Sequence, residues 1–369
     1  MEYSLNFQDK LPGERLSRYI DRKINPDSNF LSSCGANMKN IVEFMHKIMP
    51  YSVAETIKGG SLGKGTAVRD KSDIDVLFAV NDVKSIDELK KKLPQIKHDL
   101  HTALCCGMFC SSGGAFSPEE KAARREAKKN RPFKVSDIRR TPFTVSFTMT
   151  HPDGTSQNVD LIVLPKMTKH PGKFSSAELK NVYQKMKLHP EYRDYYGKCL
   201  SPVQVEFVKC QPETVKRAIR LTKYWAKTYE HKLASYAIEL LGIKTYEELK
   251  QQKPRVINEE KIAEGIFNRL RNCKNMKVEW NNYYNLGDYG RPNIPVSSTY
   301  GVCISKLIRD GPYIMDPANP YHNLFSKNTE TYWIRKNETE RIVHSNPDIT
   351  RLESDAAATL QSLRQNFKF

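Results

Sequence analysis

The chain lacks an apolar run of the length that a membrane-spanning helix requires, and its 369 residues contain no internal repeat. Its first residues also lack the basic and apolar segments of a secretory signal peptide. Eight cysteines are scattered along the chain, which favours reduced thiols over a disulfide framework. We therefore expect a protein of the cytoplasm, with a nuclear fraction as an alternative, and no membrane partner.

Negative charge is also in short supply. Asp and Glu together number 42 against 59 Lys and Arg, and the net charge is +17 at neutral pH. Since the phosphates of a nucleotide need only a few cations, the excess predicts a polyanionic partner such as nucleic acid. The alternative is a cytosolic protein that is simply basic.

The most informative segment is a glycine-rich turn followed by an acidic strand. The turn reads KGGSLGKGT at residues 58–66, and the strand reads DIDVLFAV at residues 73–80. Because strand side chains alternate in direction, Asp73 and Asp75 project from the same face. Two carboxylates so close repel each other unless a cation lies between them, and Mg²⁺ prefers carboxylates together with substrate phosphates. The pattern predicts metal-assisted phosphoryl or nucleotidyl transfer.

This segment has two other interpretations. A Walker A loop places Ser or Thr directly after its Lys, whereas Gly65 separates Lys64 from Thr66, so that motif is excluded. A tight turn before an acidic edge strand is the remaining alternative. Glycine-rich turns are common, but two carboxylates within a partly buried apolar strand are costly without a function.

A third carboxylate is predicted on a later strand. Residues 143–149 and 158–164 have strand patterns, and the turn residues at 151–154 separate them. Asp160 stands among aliphatic residues of the second strand, where a solvated surface role is disfavoured. We interpret Asp160 as the third metal ligand, because two-metal catalysis draws a carboxylate from a neighbouring element. The alternative is a buried aspartate that caps a backbone turn.

These residues resemble the signature of the DNA polymerase β-like nucleotidyltransferase superfamily. The turn at 58–66, together with IRLTKYW at 219–225, LASYAIELL at 233–241 and MDPANP at 315–320, is similar to the 2′-5′-oligoadenylate synthetases and the cyclic GMP-AMP synthase-like receptors. The match spans roughly residues 10 to 330 in consistent order.

The resemblance implies an α+β, bilobal nucleotidyltransferase fold. Its N-lobe would be a mixed β-sheet with a long spine helix, and its C-lobe would be mostly helical. The expected catalytic lobe covers residues 1–177, with a basic insertion at about 105–137, and the helical lobe covers residues 178–369.

The resemblance also implies roles for individual residues. The carried-over catalytic and metal-binding residues are Asp73, Asp75 and Asp160, which would hold two Mg²⁺ ions, with Mn²⁺ as a substitute. The carried-over nucleotide-binding residues are Gly60, Ser61, Lys223, Ser235 and Tyr236. Gly60 and Ser61 would hold the donor triphosphate, Lys223 would neutralise its charge with help from Ser235, and Tyr236 would stack on the nucleobase. Without the resemblance, Lys223 reads as a solvated helix lysine and Tyr236 as a core aromatic residue.

The activity implied is template-independent synthesis of a nucleotide second messenger in antiviral signalling. ATP would be a substrate, with GTP or another nucleotide as a second one, and the product would be a cyclic dinucleotide or a 2′-5′-linked oligoadenylate. Ser235 departs from the Gln usual in the synthetases. The zinc thumb of cyclic GMP-AMP synthase has no counterpart, because Cys199 and Cys210 stand without paired cysteines. We therefore expect no zinc and double-stranded RNA as the activator. The oligomeric state is left open.

Five basic residues are candidate RNA contacts, although each alone reads equally well as a solvated surface charge. They are Lys58, Lys64, Lys209, Arg18 and Arg22. Double-stranded RNA is recognised by shape, phosphates and 2′-hydroxyls. The two arginines belong to an amphipathic helical stretch predicted over residues 14–50.

The insertion offers two further interpretations. Residues 119–129 are polar on all sides, which favours a flexible insertion over a nucleic-acid arm. A zinc site is the second, and its ligands would be His101, Cys105, Cys106 and Cys110. Their spacing differs from the common Cys-x-x-Cys pairs, so unligated thiols are the default.

Two rival functions remain at this stage. One is a constitutive RNA-tailing nucleotidyltransferase similar to poly(A) polymerase, which would share the acidic triad and need no duplex. The other is a catalytically silent RNA-binding module. The three intact carboxylates argue against the silent module, since a retired site has no reason to keep them.

Overall fold

The computed structural model describes residues 5–69, 73–105, 117–168, 173–283, 312–325, 330–335, 338–343 and 347–367. These residues form helices and a mixed sheet, which confirms the expected α+β class. The helices are α1 (Leu16–Lys23), α2 (Ser28–Ile48), α3 (Gly60–Lys64), α4 (Ile86–Leu104), α5 (Pro118–Lys129), α6 (Ser176–Leu188), α7 (Arg193–Cys199), α8 (Ser201–Lys209), α9 (Glu213–Thr228), α10 (Ser235–Gln251), α11 (Glu259–Leu270) and α12 (Ile349–Asn366). The strands are β1 (Val53–Lys58), β2 (Ile74–Val80), β3 (Lys134–Arg140), β4 (Thr144–Thr150), β5 (Ser156–Pro165), β6 (Lys277–Val278), β7 (Tyr313–Asp316), β8 (Asn319–Asn323), β9 (Glu330–Arg335) and β10 (Glu338–Val343).

The larger sheet has the strand order β1-β2-β5-β4-β3-β9-β10, and a smaller one has the order β6-β7-β8. Strands β2 and β5 are parallel neighbours, while β4 pairs with β5 in the antiparallel sense. The registers of these two ladders set Asp75 beside Asp160, and Asp160 beside Ser146. The strand that follows the glycine-rich turn thus lies next to the strand that carries the third predicted carboxylate.

One face of this sheet is buried under α2 and α4. Alternate residues of the two central strands are buried on that side, namely Val145, Phe147, Met149, Val159, Leu161 and Val163. Because neighbouring residues of a strand face opposite sides, Ser146 and Asp160 point away from this core. Helix α4 begins at a capped end, where the Ser85 side chain accepts a hydrogen bond from the Glu88 amide.

A second core lies among helices α9 to α12. Its centre includes Trp225, Ile238 and Phe267, which are all buried. Full burial of an aliphatic or phenylalanine side chain stabilises a fold by about 1.5–3 kcal/mol. Helix α1 packs into this cluster through Leu16 and Ile20, although it precedes the sheet in sequence. The lobe boundary at residues 177/178 stays a prediction.

Two elements differ from their sequence-based description. The helical stretch expected over residues 14–50 is two helices, α1 and α2, separated at Pro26, whose ring disfavours a helical residue before it. Helix α5, which is expected to be a flexible insertion, buries no side chain. It nevertheless packs on α2, and its basic side chains donate hydrogen bonds to backbone carbonyls of other segments. Arg124 donates to the carbonyl of Met49 at 3.2 Å, and Lys128 to that of Thr102 at 3.0 Å.

No helix in the described residues has the length and apolar character needed to cross a bilayer.

Candidate active site

The three predicted carboxylates lie at two neighbouring inner strands of the sheet, β2 and β5, and the group that they form is called the acidic edge. Asp75 on β2 and Asp160 on β5 occupy paired positions of the parallel ladder. Asp73 immediately precedes β2 and accepts a hydrogen bond from Asn158 Nδ2 at 3.3 Å. Ser146 hydrogen-bonds to Asp160 from the opposite neighbouring strand. The fold therefore brings the three acids close enough for their charges to interact.

The charge balance at this edge is negative. Burial and the charges of Asp160 and Asp73 raise the pKa of Asp75 to about 7, against the weaker influence of Lys64 and Lys223. Burial also raises the pKa of Asp160, and the charge of Asp73 adds to it. For both acids, burial and the neighbouring carboxylates outweigh the contacts that favour ionisation, so the charged form is disfavoured without a further cation.

This donor set suits a hard divalent cation. Carboxylate oxygens are the ligands that Mg²⁺ prefers, and a cation would relieve the repulsion that raises the pKa of Asp75. Over the part of the chain that the structure describes, however, no three Asp, Glu, His or Cys side chains form a ready-made metal site. Asp73, Asp75 and Asp160 fit the metal by chemistry, and their joint ligation stays a prediction.

The glycine-rich turn packs directly on Asp75. Gly60 has a φ of +56°, and a Cβ atom there would come within 1.7 Å of Asp75 Oδ2. Only glycine combines this left-handed conformation with such a close approach. The backbone amide of Gly59 donates to the Asp75 carbonyl at 2.9 Å, and the Thr66 amide donates to the Ser61 carbonyl at 2.9 Å. Gly60 and Ser61, the predicted triphosphate contacts, are thus held beside Asp75.

Behind the turn lies a buried ion cluster centred on Glu239, which sequence reasoning missed. Glu239 Oε1 accepts hydrogen bonds from Lys223 Nζ at 3.0 Å and Thr66 Oγ1 at 2.5 Å, and its Oε2 accepts from Lys64 Nζ at 2.9 Å. Burial alone would raise the pKa of Glu239, but Lys223 and Lys64 lower it to about 2. The cluster joins the turn to helices α9 and α10.

The cluster changes the interpretation of two predicted lysines. Lys64 is only 8% exposed and ion-paired to Glu239, so its assignment as an RNA contact does not fit this conformation. Lys223 is 2% exposed and bonds Glu239 and the Thr66 carbonyl. Its predicted triphosphate contact would require it to leave these partners. Burial is the reason in both cases, since a lysine ammonium keeps a buried position only when it is paired.

Tyr236 and Ser235 lie at the start of α10. The Tyr236 hydroxyl donates to Asp316 Oδ1 at 3.0 Å, and Lys64 Nζ lies 4.0 Å from the centre of the Tyr236 ring. Ser235 is exposed. Tyr236, the predicted base-stacking residue, is therefore held by a hydrogen bond at its hydroxyl and by the Lys64 ammonium group over its ring.

Comparisons with known proteins agree with this geometry. The family model "2'-5'-oligoadenylate synthetase 1, domain 2, C-terminus" matches residues 172–360, more than half of the chain. A nucleotidyltransferase domain model matches residues 37–137. The chain belongs to the 2′-5′-oligoadenylate synthetase family. As the domain model indicates, it is a nucleotidyltransferase.

Individual relatives resemble the chain over most of their length. Rat 2'-5'-oligoadenylate synthase 1A is 25% identical over 86% of this chain and 86% of its own. The mouse protein of the same name is 25% identical over 89% of this chain and 86% of its own. Among solved structures, the E. coli MS115-1 CdnC:HORMA-deltaN complex covers 95% of this chain and 87% of its own at 18% identity and a TM-score of 0.46. We base the assignment on the family models.

Lys198 is another charged residue close to the three carboxylates, and sequence reasoning missed it. Lys198 on α7 is half-buried, and burial lowers its pKa against the opposing charges of Asp194, Asp160 and Asp75. In turn, Lys198 partly offsets the raised pKa of Asp160. No local motif marks Lys198 in the sequence, because its acidic neighbours come from other elements.

The remaining candidate RNA contacts differ in whether they are exposed or bonded to an acidic side chain. Lys58, Lys209 and Arg18 are exposed. Arg22 instead donates two 2.8 Å hydrogen bonds to Glu14, which reduces the charge that it offers to a phosphate.

Of the alternative zinc ligands, His101 Nδ1 lies 3.6 Å from Cys105 Sγ, whereas Cys106 and Cys110 lie outside the described residues.

Proposed function

We propose that the protein is a double-stranded-RNA-activated, Mg²⁺-dependent, template-independent nucleotidyltransferase. It uses ATP, with GTP or another nucleotide as a second substrate, to make a nucleotide messenger of antiviral signalling. The product is a 2′-5′-linked oligoadenylate or a cyclic dinucleotide. The observation that carries the proposal is the pairing of Asp75 with Asp160 beside the Gly60 turn, within a chain of the 2′-5′-oligoadenylate synthetase family.

Each part of the site has a task in this reaction. Asp73, Asp75 and Asp160 would hold Mg²⁺, which would supply charge stabilisation for attack of a ribose hydroxyl on the α-phosphate of the triphosphate, with pyrophosphate as the leaving group. The turn at Gly60 and Ser61 orients the triphosphate with its amides. Tyr236 orients the base. These assignments are supported by the common location of the residues at the acidic edge and at the start of α10.

Duplex RNA is proposed as the activator because of the cationic surface. The net charge of +17 far exceeds what a nucleotide site needs, and Lys58, Lys209 and Arg18 are exposed. RNA can activate only as far as it binds the active conformer more tightly than the inactive one.

The test is to incubate purified protein with Mg²⁺ and radiolabelled ATP, with and without GTP, in three arms. The arms contain duplex RNA, duplex DNA or no nucleic acid. Mass spectrometry with linkage-specific phosphodiesterase digestion identifies the product. We expect a soluble nucleotide product in the duplex RNA arm alone. Addition of labelled nucleotides to the ends of the supplied RNA, in place of a separate soluble product, would instead support the tailing enzyme, and no product in any arm would support the silent module.

A further inference from the structure

The MDPANP segment at residues 315–320 lies next to the proposed nucleotide pocket. Its aspartate, Asp316, is 0% exposed and ends strand β7. Asp316 Oδ1 accepts hydrogen bonds from the Tyr236 hydroxyl at 3.0 Å and the Ala318 amide at 2.8 Å. Asp316 Oδ2 accepts from Gln204 Nε2 at 2.6 Å and lies 3.5 Å from His322 Nδ1.

A buried carboxylate is stable only where donors surround it, and each donor that it holds loses freedom in return. Gln204 and the Ala318 amide fix Asp316, and Asp316 then fixes the phenolic oxygen of Tyr236. Lys64, held by Glu239, lies over the same ring. Two buried acids from distant parts of the chain therefore restrain one aromatic side chain, at its hydroxyl and over its ring.

We propose that Asp316 is a positioning residue of the nucleotide pocket. It holds the Tyr236 ring in the orientation in which the adenine base of ATP stacks on it. This inference rests on the proposed function, which makes Tyr236 the base-stacking residue. The MDPANP segment would then hold the Tyr236 side chain in place before ATP binds. Less side-chain entropy is lost on binding as a result.

The test measures binding of α,β-methylene-ATP by calorimetry, and the KM and kcat for ATP. The variants are Tyr236→Phe, Asp316→Ala, the double variant and Asp316→Asn. Tyr236→Phe and Asp316→Ala each remove the same charge-assisted hydrogen bond, and each should weaken analogue binding and raise KM by about tenfold. The change in kcat should be smaller, because the carboxylates of the acidic edge are untouched.

The double variant separates positioning from independent structural roles. If Asp316 acts through the Tyr236 hydroxyl, the double variant binds the analogue no more weakly than Asp316→Ala does. Asp316→Asn should restore most of the affinity, since its amide oxygen still accepts from the hydroxyl. If Asp316→Ala does not fold, Tyr236→Phe carries the test alone, because it leaves the segment intact.

Tyr183→Phe is the matched control. The Tyr183 hydroxyl donates to the Ala318 carbonyl at 2.9 Å, so this variant removes a bond from the same segment without touching Tyr236. Its analogue affinity should equal that of the wild type. Unchanged affinity in Tyr236→Phe, additive losses in the double variant, or an equal loss in Tyr183→Phe would each overturn the inference.

The inference and the proposed function can fail separately. Unchanged analogue affinity in Tyr236→Phe, alongside messenger synthesis by the wild type, would refute only the role of Asp316. The expected losses of affinity in a protein that makes no messenger would refute only the proposed product.

Discussion

Two acidic sites contact the glycine-rich turn, the buried Glu239 and the half-buried Asp75, and they differ in their cations. Glu239 has the ammonium groups of Lys64 and Lys223 within 3.0 Å, and its pKa falls to about 2. The same two lysines lower the pKa of Asp75 only weakly. Burial and the charges of Asp160 and Asp73 outweigh them and raise it to about 7. Burial favours the neutral form of both acids, so the neighbours decide the outcome.

The difference indicates separate tasks. A carboxylate that its own protein neutralises contributes to the folded state, and here it fastens the turn to helices α9 and α10. A carboxylate left with uncompensated charge costs stability, which a protein tolerates where a substrate or metal will use that charge. Loss of the carboxylate should therefore have opposite consequences at the two sites.

The largest effect should come from Asp75→Asn. Loss of one carboxylate from the metal site should reduce messenger synthesis by at least about a thousandfold, since metal ions supply several kcal/mol of transition-state stabilisation. Duplex RNA binding, measured by filter binding, should be unchanged. Retained turnover would remove Asp75 from the catalytic site.

Glu239→Gln should instead act on stability. It leaves Lys64 and Lys223 buried without their counter-charge, which should cost about 3 kcal/mol of unfolding free energy in urea denaturation. Glu264→Gln is the matched control, because its partner Arg364 is largely exposed and the pair should contribute less than about 1 kcal/mol. Equal losses in the two variants would mean that the Glu239 cluster is no more important than a surface pair.

The pH dependence of stability should reveal the raised pKa of Asp75. The pKa of Asp75 in the folded protein is about 7, above the value near 4 of an unfolded chain, so the folded form binds the proton more tightly. The stability of the metal-free wild type should therefore fall as pH rises from about 4 to about 7, relative to Asp75→Asn. We expect the variant to melt a few degrees higher at pH 8 and no higher at pH 4.

Mg²⁺ should remove that difference. At pH 8 the ion should raise the melting temperature of the wild type and have a smaller effect on Asp75→Asn, because binding to the folded state stabilises it by mass action. Chelation with EDTA should reverse the gain. An equal Mg²⁺ shift in both proteins would place the metal elsewhere.

The smallest effects concern two exposed lysines, Lys58 and Lys209. Lys58→Glu and Lys209→Glu should each weaken duplex RNA binding several-fold and reduce the slope of log K against log salt by about 1, since each phosphate contact releases counterions. Lys39→Glu, an exposed lysine on α2 beside Glu43, is the control with the same charge change. A slope equal to that of Lys39→Glu would exclude the tested lysine from the RNA surface.

The acidic edge was predictable from local patterns. Alternation placed Asp73 and Asp75 on one face, and the aliphatic neighbours of Asp160 made a surface role costly. Glu239 and Asp316 lie in segments that carry the family resemblance, but no local pattern indicates the role of either side chain. Glu239 reads as an ordinary helix residue because its partner Lys64 lies 175 positions away, and Tyr236 lies 80 positions from Asp316. For the same reason the sequence around Lys64 does not indicate that its ammonium group is paired with Glu239.

The amino-acid sequence alone determined the chemistry of this protein: a glycine-rich turn, three carboxylates in apolar strands, an excess of cations and membership of a nucleotidyltransferase family. Periodicity and composition are local properties, so they can be read without coordinates. Only the tertiary structure decided which charges are neutralised, since the pKa of a carboxylate depends on groups within a few ångströms that the chain brings from distant elements. It thereby distinguished Glu239, which is paired, from Asp75, which still carries the charge that a metal would bind.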